Sequence, residues 1–265
     1  VGEVSDRRAQ KKAQTRDLIR TVAQQMFAEH GFVVVTIADI ARTADVAVQT
    51  VFNHFATKEE LFFDGRTPWV HGPADAVRSR ELSVPPLAAL RAYLIDVTGS
   101  LVNSLRSPER QCYIATIEAC DGLRAHEREL VFQSERRLAA ALLEAWTDGR
   151  DESGTPAPAD PETVAPLTAA AWLAPIRALI TDKRSQVIQG ADPAELGAEL
   201  AAELETLVNR LQDHIESVLS LRRSRADELT HAWTGRPRRV PRGRLTPAAE
   251  VRPGPAQNAA SRPQA

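Results

Sequence analysis

The residues with the clearest chemical potential lie between Thr36 and Leu61, in the stretch TIADIARTADVAVQTVFNHFATKEEL. Ile37, Ile40, Ala41, Val46, Val51 and Phe55 recur at spacings that press two short helices together across a tight turn at Ala44-Asp45-Val46. That packing leaves Ala47, Val48, Gln49, Thr50, Phe52, Asn53 and His54 facing outward on the second helix. The outward set is small, mostly neutral and rich in hydrogen-bonding groups. Such a surface suits entry into a DNA major groove and the reading of base edges there. The same apolar pattern would also build an ordinary αα-hairpin, so both readings stand at this point.

Nothing else in the chain groups into a reactive centre. There is no nucleophile elbow, phosphate loop or dinucleotide fingerprint. The six histidines are scattered, and His126-Glu127 lacks a second histidine four residues on. No enzymatic activity, metal or cofactor is therefore expected. Cys112 and Cys120 fall on one helical stretch, roughly 12 Å apart at 1.5 Å per residue, too far for a disulfide. Small buried side chains are the expected role for both.

Charge points to one end of the molecule. Arg7, Arg8, Lys11, Lys12, Arg16 and Arg20 face a single acid, Asp17, whereas residues 63–221 hold 15 basic and 24 acidic residues. Residues 222–265 reverse the sign again, with 10 basic and 3 acidic residues. A basic leading end on an acidic body suggests a polyanion for that end alone. The longest uncharged run, Thr163 to Ile176, is 14 residues with two prolines, below the roughly 18–20 of a membrane span. The first twenty residues lack an apolar core, so a secretory signal is not expected. A cytoplasmic protein without a membrane partner is the expectation.

The elements that must position these groups all read as helices. The chain has 42 Ala and only 5% aromatic residues, and no useful length alternates as a strand would. Lys11 to His30 forms one amphipathic helix ended by Gly31, and Thr57 with Glu60 makes a capping box. Further on, Leu87 to Leu105 gives a long stripe. Ser107-Pro108, Asp160-Pro161 and Asp192-Pro193 each pair an N-cap residue with proline at the first helical position. Pro175 interrupts a helical run and frees the Ala171 carbonyl. The expected architecture is all-α: a basic arm at 1–10, a DNA-binding domain at 11–64, a helical ligand-sensing and dimerisation domain at 65–225 and a disordered Arg/Pro-rich tail at 226–265. Tyr93, Tyr113, Trp172 and Arg177 are the candidates for a ligand pocket. Trp69 and His71, in the Pro- and Gly-containing stretch after the fourth helix, could line a ligand entrance, though covering the core is the favoured role. The helices Leu167–Ile188 and Leu196–Val218 carry apolar stripes that could join two copies across a two-fold axis.

The first 64 residues resemble the TetR family of bacterial transcriptional regulators. The resemblance rests on Thr15-Arg16, Ile19, Ala23, Phe27-Ala28, Gly31-Phe32, Thr36, Ile40-Ala41, Ala44, Val46, Thr50, Phe52, His54-Phe55, Lys58 and Glu60-Leu61. It implies a phosphate contact for Thr36 at a helix start, and base or phosphate contacts for Thr50 and Asn53. It likewise implies backbone contacts for Phe52 and His54, a phosphate contact for Lys58, and sequence preference set by Val48 and Gln49. Two positions depart from the common pattern. Asp45 stands where glycine is frequent, which strains a left-handed turn. Phe52 stands where tyrosine is frequent, which removes a hydroxyl and leaves packing as its role. The implied function is a homodimeric repressor released from a palindromic double-stranded DNA operator by an unidentified small-molecule effector. A dimeric DNA-binding regulator or activator with a solidly packed bundle, or a protein-interaction module, are the alternatives.

Overall fold

The computed structural model describes residues 2–104, 107–192 and 195–212, and all regular structure among them is helical. The order is α1 (Gly2–His30), α2 (Ile37–Thr43), α3 (Val48–His54), α4 (Lys58–Phe63), a single 3-10 turn at Pro68–Val70, α5 (Gly72–Arg78), α6 (Pro86–Ser104), α7 (Pro108–Glu118), α8 (Asp121–Thr147) and α9 (Pro161–Ile188). Residues 195–212 form α10. The tail expected at 226–265 lies outside the described residues, as do Ile215 and Val218.

Residues 2–10 are not a separate arm, because α1 begins at Gly2 rather than Lys11. No glycine or proline follows Gly2 until Gly31, so a helix nucleated by the amphipathic part extends backwards at little cost. At the other end Gly31 takes φ 84° and donates its N–H to the Phe27 carbonyl at 3.0 Å.

Two apolar cores follow. The first joins Ile19, Ala23, Phe27, Ile40, Val51 and Leu61 to Tyr113, Ile114, Ile117 and Leu123 of α7 and α8, so side-chain packing crosses the boundary drawn at residue 64. The second holds Leu90, Leu94, Leu138, Leu142, Trp172 and Leu204, where α8 lies along α9 and α5. The leucine stripe assigned to a dimer interface is spent here. Leu196, Leu200 and Leu204 are 6%, 1% and 1% exposed within one chain. Ion pairs from Lys183 to Glu199 (2.9 Å) and Glu203 (3.6 Å), with a bond from Arg91 to Asn209 (2.8 Å), hold α10 against α9 and α6.

α9 opens as its sequence implied, with the Asp160 carboxylate accepting the Thr163 N–H at 3.2 Å, and it continues through Pro166 and Pro175. It is long and apolar enough to cross a membrane, with mean hydropathy 1.4 over its most apolar window, a property the count of uncharged residues missed. Here its Ala165, Ala169, Trp172 and Ile176 line the second core instead. Neither cysteine has the buried role expected of it. Cys112 is exposed, and Cys120 sits half-buried at the N-cap of α8, because the helix breaks before Asp121.

Two local devices fix α3. The first is the turn that delivers it. Asp45 N–H donates to the Arg42 carbonyl (3.3 Å) and Val46 N–H to the Ala41 carbonyl (2.9 Å), the paired bonds of a Schellman motif. Asp45 occupies its left-handed position at φ 52°, alone among the described non-glycine residues in positive φ. The second is Arg16 on α1. Its guanidinium donates to the His54 carbonyl at the end of α3 and to the Asp64 carboxylate at 2.6 Å, lies 3.6 Å from Glu60, and stacks 4.0 Å from the Phe55 ring centroid.

Both devices are testable by denaturation. Asp45→Gly relieves left-handed strain but gains unfolded-chain freedom, so it should stabilise the fold by at most about 1 kcal/mol, whereas Asp45→Val should destabilise it. A glycine variant that melts lower than wild type contradicts that account. Arg16→Ala should cost about 1.5–3 kcal/mol through its charged hydrogen bonds, and Arg16→Lys should restore only part because it lacks the planar fork. Unchanged denaturation midpoints for Arg16→Ala would show that the clasp holds nothing.

Candidate nucleic-acid interface

α3 presents the outward face that its sequence pattern implied. Val51 and Phe55 are buried, while Ala47, Val48, Gln49, Phe52 and Asn53 are exposed and Thr50 and His54 half-buried. Gln49 donates its amide to the Asn53 side-chain carbonyl at 3.2 Å, one turn on, which holds the two side-chain amides side by side. On the adjoining strip Val48 and Phe52 are 43% and 47% exposed. Phe52 therefore does not take the packing role expected from its lost hydroxyl; the core under α3 is already filled by Val51 and Phe55.

Thr36 is the N-cap of α2 and is fully engaged there. Its hydroxyl accepts the Asp39 N–H (3.2 Å) and donates to the Asp39 carboxylate (2.6 Å), which in turn accepts the Thr36 N–H (3.1 Å). These bonds and the nearby Arg42 guanidinium hold the Asp39 carboxyl below its ordinary pKa. What a phosphate would meet at this helix start is the pair of N–H groups on Ile37 and Ala38, which a first turn leaves without intrahelical partners.

His54 and Lys58 are both half-buried. Burial, then the Lys12 and Arg16 cations, push the His54 pKa below its ordinary value, so the imidazole is neutral at pH 7. Its Nδ1 is buried without a partner among the described residues. Lys58, at the first position of α4, places its ammonium 4.3 Å from the Phe32 ring centroid and 3.5 Å from the Val33 carbonyl, and burial lowers its pKa. Free positive charge comes instead from α1, where Arg7, Arg8, Lys11 and Lys12 are all exposed. Val33 and Val34, 79% and 72% exposed beside Lys58, belong to the same surface and carried no signal in the sequence beyond an apolar run.

Of the four residues proposed for a ligand pocket, two reach one. A cavity of about 590 Å³ lies among α6, α7, α8 and α9, and Tyr93 and Arg177 line it. Trp172 does not, because it is wholly buried in the second core, with its indole N–H unpartnered among the described residues. Tyr113 does not either. Its ring stacks on Phe62 of α4 at 5.0 Å, and burial pushes its pKa up to about 12. Arg177 also lies 3.6 Å from Glu135, so it is paired as well as pocket-lining. Trp69 lines the cavity, the less favoured of its two expected roles, and its carbonyl accepts the Ser134 hydroxyl at 3.1 Å. Gly72 is required where α5 meets Tyr93, since a Cβ there would lie 1.9 Å from the tyrosine hydroxyl. Among the described residues no three metal-ligating side chains converge.

Comparison with known proteins falls on the same elements. The sequence pattern of the family described as "Bacterial regulatory proteins, tetR family" matches residues 19–64, which run from the middle of α1 through the end of α4. MftR of Mycobacterium tuberculosis, named for transcriptional regulation of mycofactocin biosynthesis, is 32% identical over 120 residues, 41% of this chain and 61% of that protein. The HTH-type transcriptional regulator YezE of Bacillus subtilis is 29% identical over 117 residues, 43% of this chain and 58% of that protein. The chain thus spans about three fifths of the length of the curated relatives it matches. A solved structure of NalD, the secondary repressor of the MexAB-OprM multidrug efflux pump in Pseudomonas aeruginosa, aligns at 21% identity and TM-score 0.43 over 74% of this chain and 95% of that one. The part of the chain that matches the tetR family of bacterial regulatory proteins is thus the helix-turn-helix at α2 and α3, held between α1 and α4.

Proposed function

We propose that the chain is a homodimeric repressor that inserts α3 into the major groove of a palindromic double-stranded DNA operator and is released when a small molecule fills the cavity. The observation that carries this reading is the Phe62–Tyr113 stack, which joins the DNA-facing helices to the wall of the cavity region. Arg66 follows α4 directly, lies 5.1 Å from the Tyr113 ring, and itself lines the cavity. A ligand that prefers one arrangement of this joint shifts the population toward it, and reciprocally its own affinity depends on DNA. The cavity speaks against the alternative of a solidly packed bundle.

Two-fold pairing is assigned to α9. Only 33% of its most apolar window is buried within one chain. Leu167, Ala171, Ala174, Ala178, Ser185 and Ile188 share one side of the helix at spacings near the helical repeat, with Leu167 65% and Ile188 47% exposed. This uncharged stripe is the surface a second α9 would cover, and the two-fold axis would set the two recognition helices one turn of DNA apart, roughly 34–36 Å.

Two measurements test the reading. If Asn53 reads a base, Asn53→Ala should cost about 1–3 kcal/mol on the preferred operator and relax specificity at that position. Lys12→Ala should instead weaken all sequences alike and lower the salt slope by about one. Equal losses on operator and random DNA for Asn53→Ala would remove its base-reading role. Separately, Leu167→Glu with Ala178→Glu should sediment as a folded monomer that binds the palindrome poorly. A wild-type monomer at micromolar concentration in the ultracentrifuge would overturn both the dimer and the palindrome.

A further inference from the structure

The cavity is chemically two-ended. Leu94, Val97, Leu101, Val131, Ile176 and Ile180 line it from α6, α8 and α9. Its polar lining carries six arginines against two glutamates, whereas the sequence from 63 to 221 as a whole is net acidic. Several cavity hydroxyls are already spent: Thr98 donates to the Leu94 carbonyl (2.8 Å), Ser104 to that of Leu101 (2.6 Å) and Ser134 to that of Trp69. Unspent donors remain on its guanidinium groups.

Arg184 and Arg110 stand out among them. Arg184 is 7% exposed and pairs through Nη1 with Glu127 at 2.7 Å, while its Nε–H is buried with no partner among the described residues. Arg110 has no carboxylate partner among the described residues, and its Nε–H is also buried and unpartnered. Its guanidinium lies 4.8 Å from the Tyr113 ring centroid, with Arg66 at 5.1 Å from the same ring, so one aromatic serves two cations. Burial lowers the pKa of Arg110, and the Arg184 and Arg66 charges lower it further. Glu127 answers only part of this charge. A buried charged donor left without an acceptor is costly, and an anion beside these guanidinium groups would offset that cost.

We propose that the cavity binds an amphipathic carboxylate, its head group held by Arg110 and Arg184 and its apolar chain lying along α6, α8 and α9. Arg110 and Arg184 both line the cavity, and a guanidinium fork matches the two oxygens of a carboxylate; the apolar walls exceed what a small inorganic anion would use. This names the chemistry of the effector and rests on the reading of the cavity as the effector site.

The test is calorimetric titration of the full chain, without DNA, with four twelve-carbon probes below their aggregation concentrations: dodecanoate, dodecan-1-ol, dodecylamine and dodecyl phosphate. Dodecanoate should bind once per chain, at least about tenfold tighter than the alcohol, with the amine weakest. Arg110→Gln should lower dodecanoate affinity by about tenfold or more and leave the alcohol unchanged, and Arg110→Lys should fall between. An alcohol or amine that binds as tightly as dodecanoate overturns the proposal, as does a dodecyl phosphate that binds tenfold tighter. Should Arg110→Gln fail to fold by circular dichroism, the head-group series on the wild-type chain decides alone. Dodecanoate that binds with this selectivity yet leaves operator affinity unchanged supports the carboxylate site and refutes release by ligand. Operator release by a neutral ligand, with no dodecanoate binding, does the reverse.

Discussion

The arrangement depends on the guanidinium of Arg16. α3 is only seven residues long, far below the length at which a helix stands by itself in water. Its buried residues, Val51 and Phe55, fix which face turns inward but leave its axial position free. Arg16 removes that freedom by donating to the His54 carbonyl, one of the last carbonyls of α3, where a cation also meets the negative end of the helix dipole. The same guanidinium holds Asp64 at the close of α4, and the Asp64 carbonyl accepts from Gln24 at 2.8 Å. One side chain of α1 thus ties the end of the recognition helix to the end of the helix that leads into the body.

That tie gives the body a lever on α3. Phe62 and Phe63 of α4 pack on Tyr113 and His126 of α7 and α8, and Phe62 also meets Phe27 and Phe32. Close-packed aromatic rings shift together or not at all, since the interior has few voids to absorb a displacement. Packing alone transmits no signal; both ends must favour different arrangements of the same joint. The proposed effector meets that condition at Arg66 and Arg110, which share the Tyr113 ring.

The helix-turn-helix was legible in the sequence because its code is local. The apolar set around Ile40 and Val51, the Thr57–Glu60 capping box and the Asp160 cap each follow from neighbours a few residues away, and each is seen. Asp45 stood out for the same reason, since only its own φ decides its strain. Periodicity was blind to partners. It marked Leu200 and Leu204 as a buried stripe, yet could not say that α6 and α9 of the same chain, rather than a second copy, do the burying. Tyr113 and Trp172 were candidates for the ligand pocket, but the register that turns them from the cavity is set by contacts distant in sequence. Lys58 and Phe52 traded the roles their types suggest. The cation is drawn to Phe32, and the aromatic ring is left in the open because Val51 and Phe55 occupy the space beneath it.

α9 poses the remaining choice of environment for an apolar surface. Its outer stripe could face lipid or a second copy, and the groups beside the stripe favour the second copy. By helical spacing Arg177 and Asp182 flank it on opposite sides, and Arg177 reaches Glu135 of α8 at 3.6 Å. Setting the stripe into hydrocarbon would carry these charges with it, at about 2.5–3.5 kcal/mol or more for each near the bilayer centre. A second α9 would cover only the uncharged strip and leave both charged borders outside the contact. The alanines along that strip allow two helix backbones to approach closely, so Leu167 and Ile188 near its ends can each find an apolar neighbour in the opposing chain. Covering it also lessens the association risk that an exposed apolar patch of this kind carries. The pairing assigned to α9 is thus favoured both by what the strip contains and by what stands at its edges.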